Sequence, residues 1–221
     1  MNEKEILGHV DHTQLKAFAT WEDIKKLCEE AIEYHTASVC VPPCYVKRIH
    51  ETYGDQINIC TVVGFPLGYS VTEAKIAETQ KALQDGASEV DMVINISDVK
   101  NGDYQAVQEE IAALKAVVGT KILKVIIETC YLTEAEKIQM CKAVTASGAD
   151  FIKTSTGFGT NGATISDVRL FKENIGKNVQ MKAAGGVRSI ADMEAFIEAG
   201  CSRIGTSSAV ELINGNKSNQ Y

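Results

Sequence analysis

Three lysines and one aspartate stand where apolar residues belong. Asp91 in EVDMVI, Lys124 in KILKVIIE, Lys153 in DFIKTS and Lys182 in VQMKAAG each interrupt a short run of mostly apolar or β-branched residues. Lysine is almost never fully buried without a partner, because its ammonium loses more hydration than an apolar site returns. The chemistry open to such a group is nucleophilic: a deprotonated amine adds to a carbonyl, and both desolvation and a neighbouring cation favour the neutral amine. A carboxylate beside it can hold a second ammonium, order a water and move protons. The plain alternative is a buried lysine–aspartate pair that only closes the core, and for Lys124 taken singly that alternative stays open.

Spacing relates these residues. The segments DGASEVD, SGADFIK and AGCSRIG align, each with a glycine suited to the position just past a helix, and five residues later stand Asp91, Lys153 and Gly205. Lys124 follows Gly119 by the same offset. In a barrel of parallel strands one face packs against helices and the other faces the interior, so charged residues in mid-strand converge on the catalytic mouth. Glycines supply the second half of a site. Gly157-Phe158-Gly159, Gly185-Gly186 and Gly205-Thr206-Ser207-Ser208 follow three successive runs. Backbone N–H groups in such loops suit a phosphate, which makes Gly157, Gly185, Gly186, Gly205, Ser207 and Ser208 candidate anion-binding residues. Arg188 either adds charge there or is a solvated arginine.

The elements that must position these groups alternate regularly. Eight runs (HVDHT, ASVCV, INICTVV, EVDMVI, KILKVIIE, DFIKTS, VQMKAAG, SRIGTS) are separated by stretches of helical period such as TWEDIKKLCEEAIEYH. Thr20, Ser70, Thr133, Thr164 and Ser189 each have Asp or Glu three residues on, the capping-box pattern that opens a helix. Eight such units predict an α/β fold, a (β/α)₈ barrel, as a single catalytic domain over residues 1–221 with a short mobile C-terminal tail from about 214. An open doubly wound sheet is the alternative, but no G-x-G-x-x-G follows the first run.

With 221 residues, 45% hydrophobic, the chain can bury one sizeable core, and no linker divides it. A net charge of −7 without a basic stripe argues against nucleic acid or an anionic membrane as the main partner. The absence of a long apolar run predicts a cytoplasmic protein, and seven cysteines without framework spacing predict reduced thiols. His9 and His12 flank Asp11, but no third histidine lies nearby, so no metal and no cofactor are expected. Asp11 and Thr13 read as buried hydrogen-bonding groups at the mouth of the first strand, and Cys40 as a packed thiol.

Taken in order, Asp11-His12-Thr13, Glu89-Val90-Asp91-Met92-Val93, Lys153-Thr154-Ser155-Thr156-Gly157-Phe158 and Lys182-Ala183-Ala184-Gly185-Gly186-Val187-Arg188 resemble the deoxyribose-phosphate aldolases, a class I aldolase family, over essentially the whole chain. The resemblance implies a metal-free, usually dimeric (β/α)₈ barrel acting on 2-deoxy-D-ribose 5-phosphate, D-glyceraldehyde 3-phosphate and acetaldehyde. It assigns the Schiff base to Lys153, the lowering of that lysine's pKa to Lys182 and proton transfer to Asp91, a choice among lysines that spacing could not make. Asp11, Thr13, Lys124 and Thr156 become second-layer candidates. Tyr221 joins them, because the family often ends in tyrosine; either the tail is a disordered end, or its hydroxyl folds back to protonate an enamine. Two rivals remain: a Schiff-base enzyme for another sugar phosphate, and a catalytically silent sugar-phosphate binder.

Overall fold

All eight predicted runs become strands: β1 (Val10–Thr13), β2 (Ser38–Val41), β3 (Ile59–Val63), β4 (Glu89–Val93), β5 (Ile122–Ile126), β6 (Phe151–Lys153), β7 (Gln180–Ala184) and β8 (Arg203–Thr206). A computed structural model describes residues 1–215. Each strand pairs in parallel with the next, and β8 returns to β1, so the sheet closes as a barrel in sequence order. Closure leaves no unpaired edge.

Strand residues alternate between two buried environments. Val10, Val90, Met92, Leu123, Val125, Ile152, Met181, Ala183 and Ile204 belong to the apolar layer shared with the helices. Residues at the intervening positions fill the interior, among them Asp11, Cys40, Asp91, Lys124, Lys153 and Lys182, all buried. This two-sided burial explains why the runs lack a clean polar alternation.

The helices are α1 (Glu3–Leu7), α2 (Trp21–Tyr34), α3 (Val46–Tyr53), α4 (Thr72–Gln84), α5 (Ile96–Lys100), α6 (Tyr104–Val118), α7 (Glu134–Ala146), α8 (Ile165–Asn174), α9 (Ile190–Ala199) and α10 (Ala209–Ile213). Helix α2 shows the local logic. Thr20 and Asp23 form a reciprocal capping box, and Ile24, Leu27, Cys28 and Ala31 recur at helical spacing on the buried face. Thr133, Thr164 and Ser189 cap α7, α8 and α9 as the pattern predicts.

Ser70 does not cap α4; the preceding position is Val71, whose side chain makes no capping bond. A cap contributes only about 1 kcal/mol. Here the helix is placed by its fully buried Lys75, which donates to Val93 O at 2.9 Å and pairs with Glu110 at 2.9 Å. Asn214 and Gly215 end the described chain just past α10, and the expected tail beyond them, with Tyr221, lies outside the described residues.

Candidate active site

The interior charges form one network. Asp91, on β4, accepts from Lys153 (2.7 Å) and Lys182 (2.8 Å) at Oδ2, and from Lys124 (3.0 Å) and the Cys60 thiol (3.1 Å) at Oδ1. Asp11, on β1, pairs with Lys182 (2.5 Å) and Arg203 (2.5 Å) and accepts from Ser38 (2.8 Å). Glu89 takes the Arg203 guanidinium at 2.9 Å and also holds Lys124. Four cations therefore face three carboxylates. Lys153 and Lys182 are register partners on β6 and β7, which is why their ammoniums share one oxygen.

Burial alone would neutralise these groups, and the network reverses that tendency. Desolvation opposes ionisation of Asp91, but Lys124, Lys153 and Lys182 outweigh it and hold the carboxyl well below the ordinary range. Asp11 is likewise held down against burial, by Lys182, Lys124 and Arg203. On the cationic side burial again acts first, yet Asp11 and Asp91 keep Lys182 charged well above the usual lysine value, and Asp91 does the same for Lys124. These two lysines are fixed ammoniums.

Above the network opens a cavity of about 590 Å³. Of the four cations only Lys153 lines it, together with Thr13, Thr156, Gly157, Gly185, Gly186, Arg188, Gly205, Ser207 and Ser208. Glycine at 205 is required sterically: a β-carbon there would stand 2.9 Å from Ala184 Cβ and 3.2 Å from Lys182 Cε. Gly185 and Gly186 both adopt left-handed backbone (φ 80° and 73°), a turn that side chains resist. Cys40, Cys60, Val62, Leu15 and Phe65 pack as an apolar cluster on the inner side of β2 and β3.

Residues 7–213 match the DeoC/LacD family aldolase model. The chain belongs to the DeoC/LacD aldolase family. The protein named deoxyribose-phosphate aldolase in Clostridium botulinum (strain Alaska E43 / Type E3) is 70% identical over 221 residues, the full length of both chains. Its counterpart in Clostridioides difficile (strain 630) is 59% identical over 218 residues, covering 99% of this chain and 100% of that one. Among solved structures, the deoxyribose phosphate aldolase from Aeropyrum pernix, described as a tetramer, superimposes with a TM-score of 0.88 at 30% identity, over 97% of this chain and 92% of that one.

Within this aldolase fold, the predicted residues separate into two layers. Lys153, Thr13, Thr156, the four glycines, Ser207 and Ser208 reach the cavity, whereas Asp91, Lys182, Asp11 and Lys124 form the layer beneath. Asp11 is buried and hydrogen-bonded as the sequence predicts, but it lies below the cavity and not at its mouth, because its partners Lys182 and Arg203 lie there. The histidines do not converge: His9 bonds Ser202 O (2.9 Å), and His12 bonds Glu30 (2.7 Å). Sequence reasoning missed Glu89 and Arg203 as members of the network, Lys16 and Phe18 as cavity residues, and the buried Glu128. Burial pushes the Glu128 carboxyl above the ordinary glutamate range, against hydrogen bonds from Thr156.

Proposed function

We propose that the protein is a deoxyribose-phosphate aldolase of the Schiff-base type, cleaving 2-deoxy-D-ribose 5-phosphate reversibly to D-glyceraldehyde 3-phosphate and acetaldehyde in deoxyribose catabolism. The observation that carries this reading is the place of Lys153. It is the one amine of the network open to a substrate, and it stands beside both a carboxylate and a fixed ammonium.

The neutral amine of Lys153 adds to the C1 aldehyde of the open-chain sugar, and loss of water gives an iminium. Removal of the C3 hydroxyl proton lets the C2–C3 electrons flow into that iminium, which releases the phosphorylated triose and leaves an enamine on Lys153. Protonation of the enamine at C2 and addition of water return acetaldehyde and the free amine. The water lost in the first step is restored in the last. Asp91 lies beneath Lys153 and outside the cavity wall, so its part in proton transfer runs through an intervening water. Lys182, charged and bonded to the same Asp91 oxygen, sets a second positive charge beside the reacting amine. Gly157, Gly185, Gly186, Gly205, Ser207 and Ser208 receive the phosphate, so that binding of a non-reacting group fixes C1 over the amine.

On the same resemblance we infer one catalytic domain over residues 1–221, a homodimer and a cytoplasmic site of action, without metal, nucleic acid or membrane as a partner. All seven cysteines are free thiols, in keeping with that compartment. No helix among the described residues is long and apolar enough to cross a membrane. Sedimentation velocity separates a dimer from the tetramer described for the Aeropyrum pernix protein.

The decisive experiment is borohydride reduction in the presence of acetaldehyde, followed by peptide mapping. A two-carbon addition on the peptide containing Lys153 is expected. Label on Lys182 or Lys124 instead overturns the assignment, and no label at all removes the Schiff-base mechanism.

A further inference from the structure

The reaction as written leaves one buried carboxyl beside the mouth unused. Glu128 follows β5, is 2% exposed, and holds a left-handed backbone (φ 50°, ψ 68°). A residue other than glycine stays in that region only where its surroundings hold it there. What holds it is the loop after β6. The backbone N–H of Thr156 lies 3.3 and 3.2 Å from the two Glu128 carboxyl oxygens, and the Thr156 hydroxyl donates to Oε2. That hydroxyl in turn accepts from Phe158 N at 3.0 Å. Gly159 closes the contact, since a β-carbon there would stand 3.1 Å from Glu128 Cδ and 2.8 Å from Cys130 Sγ.

The other side of the same loop is cavity wall. Thr156, Gly157 and Phe158 line the space above Lys153. A β-carbon on Gly185 would stand 3.4 Å from Gly157 Cα and 3.2 Å from Gly162 Cα, and Ala163 donates its N–H to Gly185 O at 3.0 Å. The β6 loop is therefore the surface on which the Gly185–Gly186 turn rests. Glu128 does not line the cavity, so its influence on a ligand runs through Thr156.

We propose that Glu128 is a positioning residue for the phosphate end of the substrate, clamping residues 156–159 so that Gly157 supports the Gly185–Gly186 turn. This rests on the reading of that turn as the phosphate site. The chemistry favours a carboxyl over an amide. Both groups that Thr156 presents are donors, and a carboxylate offers two acceptor oxygens, whereas glutamine offers one and sets an NH₂ against a donor.

The test compares Glu128→Ala, Glu128→Gln and Thr156→Val in steady-state cleavage of 2-deoxy-D-ribose 5-phosphate and in borohydride trapping with acetaldehyde, which carries no phosphate. For Glu128→Ala, KM is expected to rise about tenfold, the effect of losing a hydrogen bond to a charged group, while acetaldehyde trapping stays within about twofold of the parent chain. Glu128→Gln falls between the parent and Glu128→Ala. Because Glu128 acts through Thr156, the double variant Glu128→Gln/Thr156→Val has a KM no higher than the worse single variant. If Glu128→Ala does not fold, Glu128→Gln and the double variant carry the decision. An unchanged KM in folded variants, an additive double variant, or a parallel loss of trapping and KM overturns the proposal. A parent chain that traps no acetaldehyde would instead refute the aldolase reading, so the two failures are separable.

Discussion

Substituting Asp91 by asparagine removes one charge from the centre of the network and changes little else in shape. Both carboxyl oxygens are fully engaged, by Lys153 and Lys182 on one side and by Lys124 and Cys60 on the other. Asparagine replaces one acceptor with an NH₂ that faces an ammonium, and it leaves four cations against Asp11 and Glu89. Removing one partner of a buried pair costs about 3–5 kcal/mol. Because Asp11 and Glu89 still compensate Lys182 and Lys124, the lower end applies, about 3 kcal/mol. In a chain of this length each kcal/mol moves Tm by about 2–4 °C, so a fall of about 6–12 °C is expected.

The pH dependence has a definite sign. Against the desolvation that would raise it, Lys124, Lys153 and Lys182 depress the folded value of Asp91, so its contribution to stability is complete above the unfolded value near about 3.9 and is lost as pH falls through the lower folded value. Urea denaturation of the two proteins should therefore show a constant gap from pH 7 down to about 4, narrowing in stronger acid. Turnover should fall by about 10²-fold or more, while borohydride still labels the Lys153 peptide. A gap under about 1 kcal/mol at pH 7, or one that widens in acid, would refute this account of the network.

Lys182→Leu removes the fixed ammonium beside Lys153, so turnover should slow while borohydride with acetaldehyde still labels Lys153, and unchanged turnover in a folded variant contradicts the assigned role. Ser207→Asp sets a carboxylate in the cavity wall proposed to receive phosphate, so KM for the phosphorylated sugar should rise about tenfold or more; no rise moves the phosphate elsewhere. Deleting Tyr221, whose role rests on the family resemblance alone, should slow exchange of acetaldehyde's methyl protons in deuterium oxide while leaving imine trapping intact. Exchange at the full-length rate makes the tail only a tail.

Much of this site was legible because parallel strands buried on both faces leave a charged residue nowhere to go except the interior. The five-residue offset from a helix-ending glycine carried Asp91, Lys124 and Lys153 to the same face, and the structure places them there. Applied one step further, the two-residue period would have found the rest: Glu89 precedes Asp91 by two, and Arg203 precedes Gly205 by two. Depth was harder to read. Lys153 is the last residue of β6, whereas Lys124 and Lys182 each have a strand residue two positions further toward the mouth, Ile126 and Ala184. Which lysine meets substrate thus depends on where each strand stops, and strand ends are the least readable feature of a sequence. Glu128 carried no periodic signal, since a loop residue in left-handed backbone obeys neither the strand nor the helix period.

The charge count explains why the cavity-lining lysine suits the proposed chemistry. Lys124, Lys182 and Arg203 together match Asp11, Glu89 and Asp91 one for one. A neutral amine at Lys153 leaves the network balanced, which is the state in which the amine can attack. Once the proposed iminium forms, the same position carries a fourth positive charge whose carboxylate, Asp91, is already shared with Lys124 and Lys182, in surroundings that water screens poorly. Collapse of the C2–C3 bond into that iminium yields a neutral enamine and restores the balance. On the proposed mechanism the surplus cation is relieved as the bond breaks, so the protein's contribution to the electron sink lies in giving three cations one carboxylate, Asp91, to share.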